Sequence, residues 1–166
     1  MCSDSENLYL VGGLTKTVLK YNVNSEKWTI FKNTWNNPIC LVTDNDLYIF
    51  FGKDLYGGFV NSFEKTTAGG RGQFVMYNPR ETINLIYSAT LTTSSNTILF
   101  FGGRDEKGSI NTALKFDPST NQFMKTSYHL SQKASFHQCN LPQIGDNCFG
   151  YFSLDYEKNF IKINFS

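Results

Sequence analysis

The sequence predicts an all-β chain built from a repeated unit of short antiparallel strands. Three observations carry that prediction. First, four segments align without gaps: Val18 to Asn24, Phe74 to Arg80, Ala113 to Ser119 and Phe160 to Ser166. Each reads as an apolar strand end, then Tyr21, Tyr77, Phe116 or Ile163, then Asn or Asp; those four residues lie 56, 39 and 47 positions apart. Asn or Asp there bonds its own backbone and starts a turn. Second, three apolar runs end on glycine: Leu8 to Gly13, Tyr48 to Gly52 and Ile98 to Gly103. A strand buried on both faces reads that way. Third, aromatic residues make up 16% of the chain and charged residues 17%, below the roughly 25% charged of an average soluble domain. Such a composition suits pleated, half-buried surfaces better than helices.

The elements follow in order. The strands of a repeat are labelled a to d in chain order. Strand b is the glycine-ended run, where Gly12, Gly13, Gly52, Gly102 and Gly103 permit positive φ and close backbone approach. Strand c ends on the aromatic-Asn/Asp turn, and a large ring opens strand d. Asn22 stands six residues before Trp28, and Asp117 six before Phe123. Each ring can pack across the hairpin onto Tyr21 or Phe116. The first repeat is placed with b at 7–11, c at 17–22 and d at 28–32, opening on b with no inner strand. The second takes a at 39–43, b at 46–51, c at 73–77 and d at 83–87, with Asn84 at the ring position. The third takes 89–93, 97–101, 112–116 and 122–126, and the fourth 136–141, 147–152 and 159–164. That makes about fourteen strands and no helix.

Apolar strand, glycine pair, spacer, aromatic-Asn/Asp turn and a later ring together resemble the kelch-repeat family. A WD40 pattern fits worse, because no Trp-Asp or Gly-His pair occurs. The resemblance implies a β-propeller, here about three and a half blades spanning 7–35, 36–88, 89–130 and 131–166. Kelch-like rings usually close with more blades than this. An open arc with incomplete outer blades, forming the C-terminal part of a larger propeller, is therefore expected. The family resemblance implies a scaffold or adaptor that binds a partner protein. The alternative it implies is a kelch-based oxidase, lyase or epimerase with its site at the channel mouth.

Charge and composition narrow the partners. A formal net charge of +1 offers no field for steering toward nucleic acid or acidic membranes. No run reaches the ~18 apolar residues of a membrane-spanning helix. The opening Met1 to Glu6 lacks the build of a signal peptide. The four cysteines, Cys2, Cys40, Cys139 and Cys148, are irregularly spaced, which argues against a disulfide framework and for a reducing, cytoplasmic setting.

No catalytic constellation is found, so an enzyme is not expected. Gly-x-Ser-x-Gly is absent, and Gly69-Gly70-Arg71-Gly72 lacks the Lys-Ser/Thr of a phosphate loop. His137 and Cys139 share a strand face, with Cys148 on the next strand and His129 upstream. These are zinc-type ligands, yet paired Cys-x-x-Cys spacing is missing, and cysteine is commonly a small buried apolar residue. No metal and no cofactor are expected.

The candidate site is a loop. Between b and c, the first repeat uses 14–16 and the third 104–111, but the second uses 53–72. Loops longer than about 12–15 residues are usually functional or disordered. This one mixes Tyr56, Phe59 and Phe63 with Arg71, and rings with arginine dominate binding hot spots. Partner binding is expected there, with Arg104 and Asp105 of the third repeat on the same rim.

Overall fold

The computed structural model describes residues 1–12, 17–33, 35–68, 73–93, 95–135, 143–144, 147–154 and 157–164; side chains are described through Phe31 and over 35–135 within those ranges. Among the described residues every regular element is a strand, and no helix is long and apolar enough to cross a membrane. The chain divides into two compact units, Met1–Asn84 and Leu85–Ser166, each taken separately below.

The first unit holds two four-stranded antiparallel sheets. In the first sheet β1 (Cys2–Ser3), β2 (Asn7–Gly12), β3 (Thr17–Asn22) and β4 (Lys27–Asn33) lie in chain order. The expected opening on strand b is corrected: Cys2 pairs Tyr9 and Ser3 pairs Leu8, so a further strand precedes it. Sequence reading missed it because two residues are too few to show a period. The turn behind it is built by Asp4, whose carboxylate accepts the Glu6 and Asn7 amides at 2.7 Å each, the Asn7 side chain, and the Tyr9 hydroxyl at 3.0 Å.

The second sheet is β5 (Ile39–Thr43), β6 (Asp46–Phe50), β7 (Phe63–Thr67) and β8 (Val75–Tyr77). Here the structure overturns the expected register. The third strand is Phe63–Thr67, inside the stretch read as a loop, and Phe50 pairs Phe63. Residues 73–77, expected as the third strand, supply the fourth, with Tyr77 opposite Phe63 rather than at a turn. No strand forms at 83–87, so Asn84 is not the ring position. The physical reason is burial: Phe63 closes against Phe50 at 5.4 Å and stacks on Tyr77 at 5.1 Å, in the dry interior. Pairing β6 with 73–77 instead would leave that ring in solvent, forfeiting about 1.5–3 kcal/mol of burial.

The two sheets pack face to face. Cys2, Tyr9 and Val18 of the first meet Cys40, Leu47 and Ile49 of the second, with Val11, Phe31, Trp35, Val42, Ala68 and Phe74 around them. Thus one face of the first sheet is core.

The second unit repeats the plan. Strands β9 (Ala89–Thr92) and β10 (Ile98–Phe101) pair antiparallel; after them β11 (Arg104–Asp105) and β12 (Gly108–Ser109) form a small hairpin, an element not expected from sequence. Then β13 (Thr112–Asp117) and β14 (Gln122–His129) complete a four-stranded sheet with β9 and β10. Last come β15 (Gln143–Ile144), β16 (Asn147–Leu154) and β17 (Glu157–Asn164), a three-stranded sheet. The expected strand at 136–141 lies outside the described residues.

The glycine expectations land on real strand ends. Gly12 closes β2, Gly52 follows β6, and Gly102 and Gly103 follow β10; Gly13 lies outside the described residues. Gly52 and Gly103 show why no other residue serves. Their φ values are +119° and +104°, and a Cβ would stand 2.7 Å from the Asn36 carbonyl oxygen or 2.8 Å from that of Ile86. In both places the approaching segment bridges to the residue after the glycine, Asn36 to Lys53 and Ile86 to Arg104.

Candidate functional site

The expected 20-residue loop shrinks to the span between β6 and β7, and its first half is an ordered turn. Lys53 bridges Phe59, and its backbone is tied to Asn36 by two hydrogen bonds of 2.8 and 2.9 Å. Asp54 then organises the tip. Its Oδ1 accepts the Tyr56 amide at 2.8 Å and the Gly58 amide at 2.9 Å, while its own amide donates to the Gly58 carbonyl at 2.9 Å. Gly57 supplies the positive φ of 83° that the turn demands. The result presents Leu55 and Tyr56 outward, 73% and 96% exposed. Below them the Lys53 ammonium sits 5.0 Å from the centre of the Phe59 ring.

The second unit builds the same device. Arg104 pairs Ser109, Asp105 pairs Gly108, and the Lys107 amide donates to Asp105 Oδ1 at 2.7 Å. Ile86 and Arg104 exchange backbone hydrogen bonds of 2.8 and 3.0 Å, as Asn36 and Lys53 do. The sequence signal for both is Lys53-Asp54-Leu55-Tyr56-Gly57 beside Arg104-Asp105-Glu106-Lys107-Gly108. A basic residue enters the ladder, an aspartate caps the turn, and a glycine leaves it; sequence reading missed this match. Leu55 was missed with it.

The expected site residues therefore separate. Tyr56 is at an exposed tip and Phe59 is half-buried beneath Lys53. Phe63 is core. Arg71 lies outside the described residues. Arg104 is exposed and Asp105 half-buried in the hairpin of the second unit. The structural rings behave as expected in two sheets: Tyr21 meets Trp28 at 4.9 Å and Phe116 meets Phe123 at 4.7 Å. In the second sheet Phe74, not Asn84, is the ring packed into the core.

A second open surface belongs to the first sheet. Its face opposite the core carries two cross-strand rows, Leu8–Tyr21–Trp28 and Leu10–Leu19–Ile30. None of the six is charged, Trp28 is 51% exposed and Ile30 76%.

Among the described residues no group of three His, Cys, Asp or Glu side chains is placed to hold a metal ion. His137 and Cys139 lie outside the described residues, and Cys148 is described only as part of β16. No protein-family model matches the chain, and no curated protein matches its sequence.

Proposed function

We propose that this chain is a protein-interaction module that engages a partner through the turns at 53–59 and 104–109 that follow the second strands of two repeats. The observation that carries the reading is the 53–59 turn. An aromatic and an aliphatic side chain stand almost wholly in solvent on a backbone that is already ordered by Asp54. Tyrosine at a rigid tip provides a large contact area at low entropic cost on binding. Among the described residues nothing covers its ring, which is 96% exposed.

We further propose that the sheets are kelch-type propeller blades of a larger assembly of such sheets. Register equivalence supports this. Positive φ recurs where the second strand ends, at its last residue Gly12 and just past it at Phe51 and Gly102, which places Leu10 of the first sheet where Ile49 stands in the second. Ile49 is buried beneath the first sheet, whereas Leu10 and its row mates Leu19 and Ile30 face outward. A further sheet fits that open face as the first sheet fits the second.

The test is a quantitative pull-down comparing the wild type with Leu55→Ser and Tyr56→Ala. Both variants should fold with unchanged melting midpoints and lose captured partner by at least about tenfold, the scale of a hot-spot truncation. Capture that survives both substitutions overturns the hairpin as the contact.

A further inference from the structure

The first sheet meets the second through two cysteines. Cys2 lies on β1, on the face turned toward the second sheet, and Cys40 lies on β5, on the face that receives it. The two strands are in contact, both cysteines are buried with free thiols, and a thiol–thiol hydrogen bond joins them. They share one buried cluster with Tyr9, Val18, Leu47 and Ile49.

We propose that Cys2 and Cys40 form a reversible disulfide that staples the first sheet to the second under oxidising conditions. Burial pushes the Cys2 thiol well up, so exchange waits on a local opening that lets solvent reach the pair.

With oxidised glutathione as the oxidant, one thiolate of the pair attacks a glutathione sulfur, forms a mixed disulfide and releases one glutathione thiolate. The other cysteine, deprotonated, then attacks the sulfur of the first and releases the second glutathione thiolate. Two S–H bonds are lost and one S–S bond forms; the two protons and two electrons end on two glutathione thiols. Access comes from β1, a two-residue strand at the sheet edge, whose local opening needs few broken contacts.

The experiment treats the full chain with oxidised glutathione, alkylates remaining thiols and maps disulfide-linked peptides without reduction. The expected product is a Cys2–Cys40 link in a folded chain whose melting midpoint rises by roughly 5–10 °C, reversed by dithiothreitol. Cys40→Ser and, independently, Cys2→Ala should show no such rise. In the wild type, oxidant should also protect both thiols from alkylation together. The proposal is overturned if Cys2 and Cys40 remain alkylatable after oxidation, if either pairs instead with Cys139 or Cys148, or if the link appears only in denaturant.

Discussion

Phe51 and Gly102 hold the same backbone conformation at the same point of successive repeats, with φ of 54° and 57°. Each follows the second strand directly, and each donates its amide to a carbonyl at the start of the third strand, that of Ser62 just before β7 at 2.9 Å and that of Thr112, the first residue of β13, at 3.0 Å. The left-handed region costs a side-chain-bearing residue about 1–3 kcal/mol. Phe51 tolerates it because its ring is completely buried, 6.0 Å from that of Phe50.

Phe51→Gly should therefore destabilise the chain despite relieving the strain. Removing a buried ring costs about 3–5 kcal/mol, against about 1–3 kcal/mol of strain that is relieved. A net loss of about 2 kcal/mol is expected in urea unfolding, and an increase in stability would show that the strain outweighs the packing.

The sequence groups Tyr56 and Phe63 in one loop, and the structure predicts opposite outcomes for them. Phe63→Ala should cost about 3–5 kcal/mol of stability. Tyr56→Ala should leave stability within about 0.5 kcal/mol. Equal effects on the unfolding midpoint would contradict the placement of β7.

Asp4 predicts a pH dependence. Burial acts to raise its carboxyl, but hydrogen bonds from Glu6, Asn7 and Tyr9 prevail and hold it below the usual range. Its folded value lies below its unfolded one, so its contribution is complete above the unfolded value, near 4, and is lost as pH falls through the folded value. Asp4→Asn should lower stability at neutral pH and flatten the acid limb of the stability profile below about pH 4. An acid limb identical to wild type would remove Asp4 from the account.

Lys65 gives the complementary case at high pH. Its ammonium bonds Asp46 at 2.7 Å and lies 5.2 Å from the Tyr48 ring centre. Desolvation lowers its affinity for the proton, but the bonds to Asp46 and Tyr48 raise it above its ordinary value. That stabilisation is present below the unfolded value near 10.4 and fades as pH rises beyond it. The pair is partly solvated, so Asp46→Asn should cost only about 0.5–1 kcal/mol at pH 7. A difference of similar size persisting at pH values where Lys65 is neutral would mean that Asp46 acts through the turn, not the ion pair.

Ile30→Lys should leave the fold intact, since the side chain is 76% exposed on β4, and reduce self-association at high concentration. Light scattering of the two proteins checks it; a loss of folded signal would place Ile30 in a core.

In the second repeat the local pattern places the turn at Tyr77, with uneven spacings of 56 and 39 residues. In the observed register Lys20, Lys65 and Lys115 are equivalent, pairing Tyr9, Tyr48 and Leu99, and stand 45 and 50 residues apart. Lys65 lacks the following aromatic-Asn/Asp signature, because Thr66 and Thr67 stand where Tyr21-Asn22 and Phe116-Asp117 do. The local pattern therefore pointed to the Tyr77-Asn78 copy, which pairs elsewhere. The hairpin tips were hidden for the opposite reason: two short basic-Asp-x-x-Gly motifs are clear once aligned, but nothing local marks them as equivalent.

By itself, the sequence determined the all-β class, the glycine-ended second strands and the ring pairs Tyr21–Trp28 and Phe116–Phe123. Those features are written in short-range periodicity, in residues that alone tolerate a given φ, and in hairpin partners a few positions apart. Only the tertiary structure decided that Phe63 is core while Tyr56 is surface, that Phe74 takes the ring position, and that Cys2 faces Cys40. Each of these depends on which strands pair or which sheets meet across tens of residues. A strand register is chosen by the total burial it achieves, and no local pattern contains that sum.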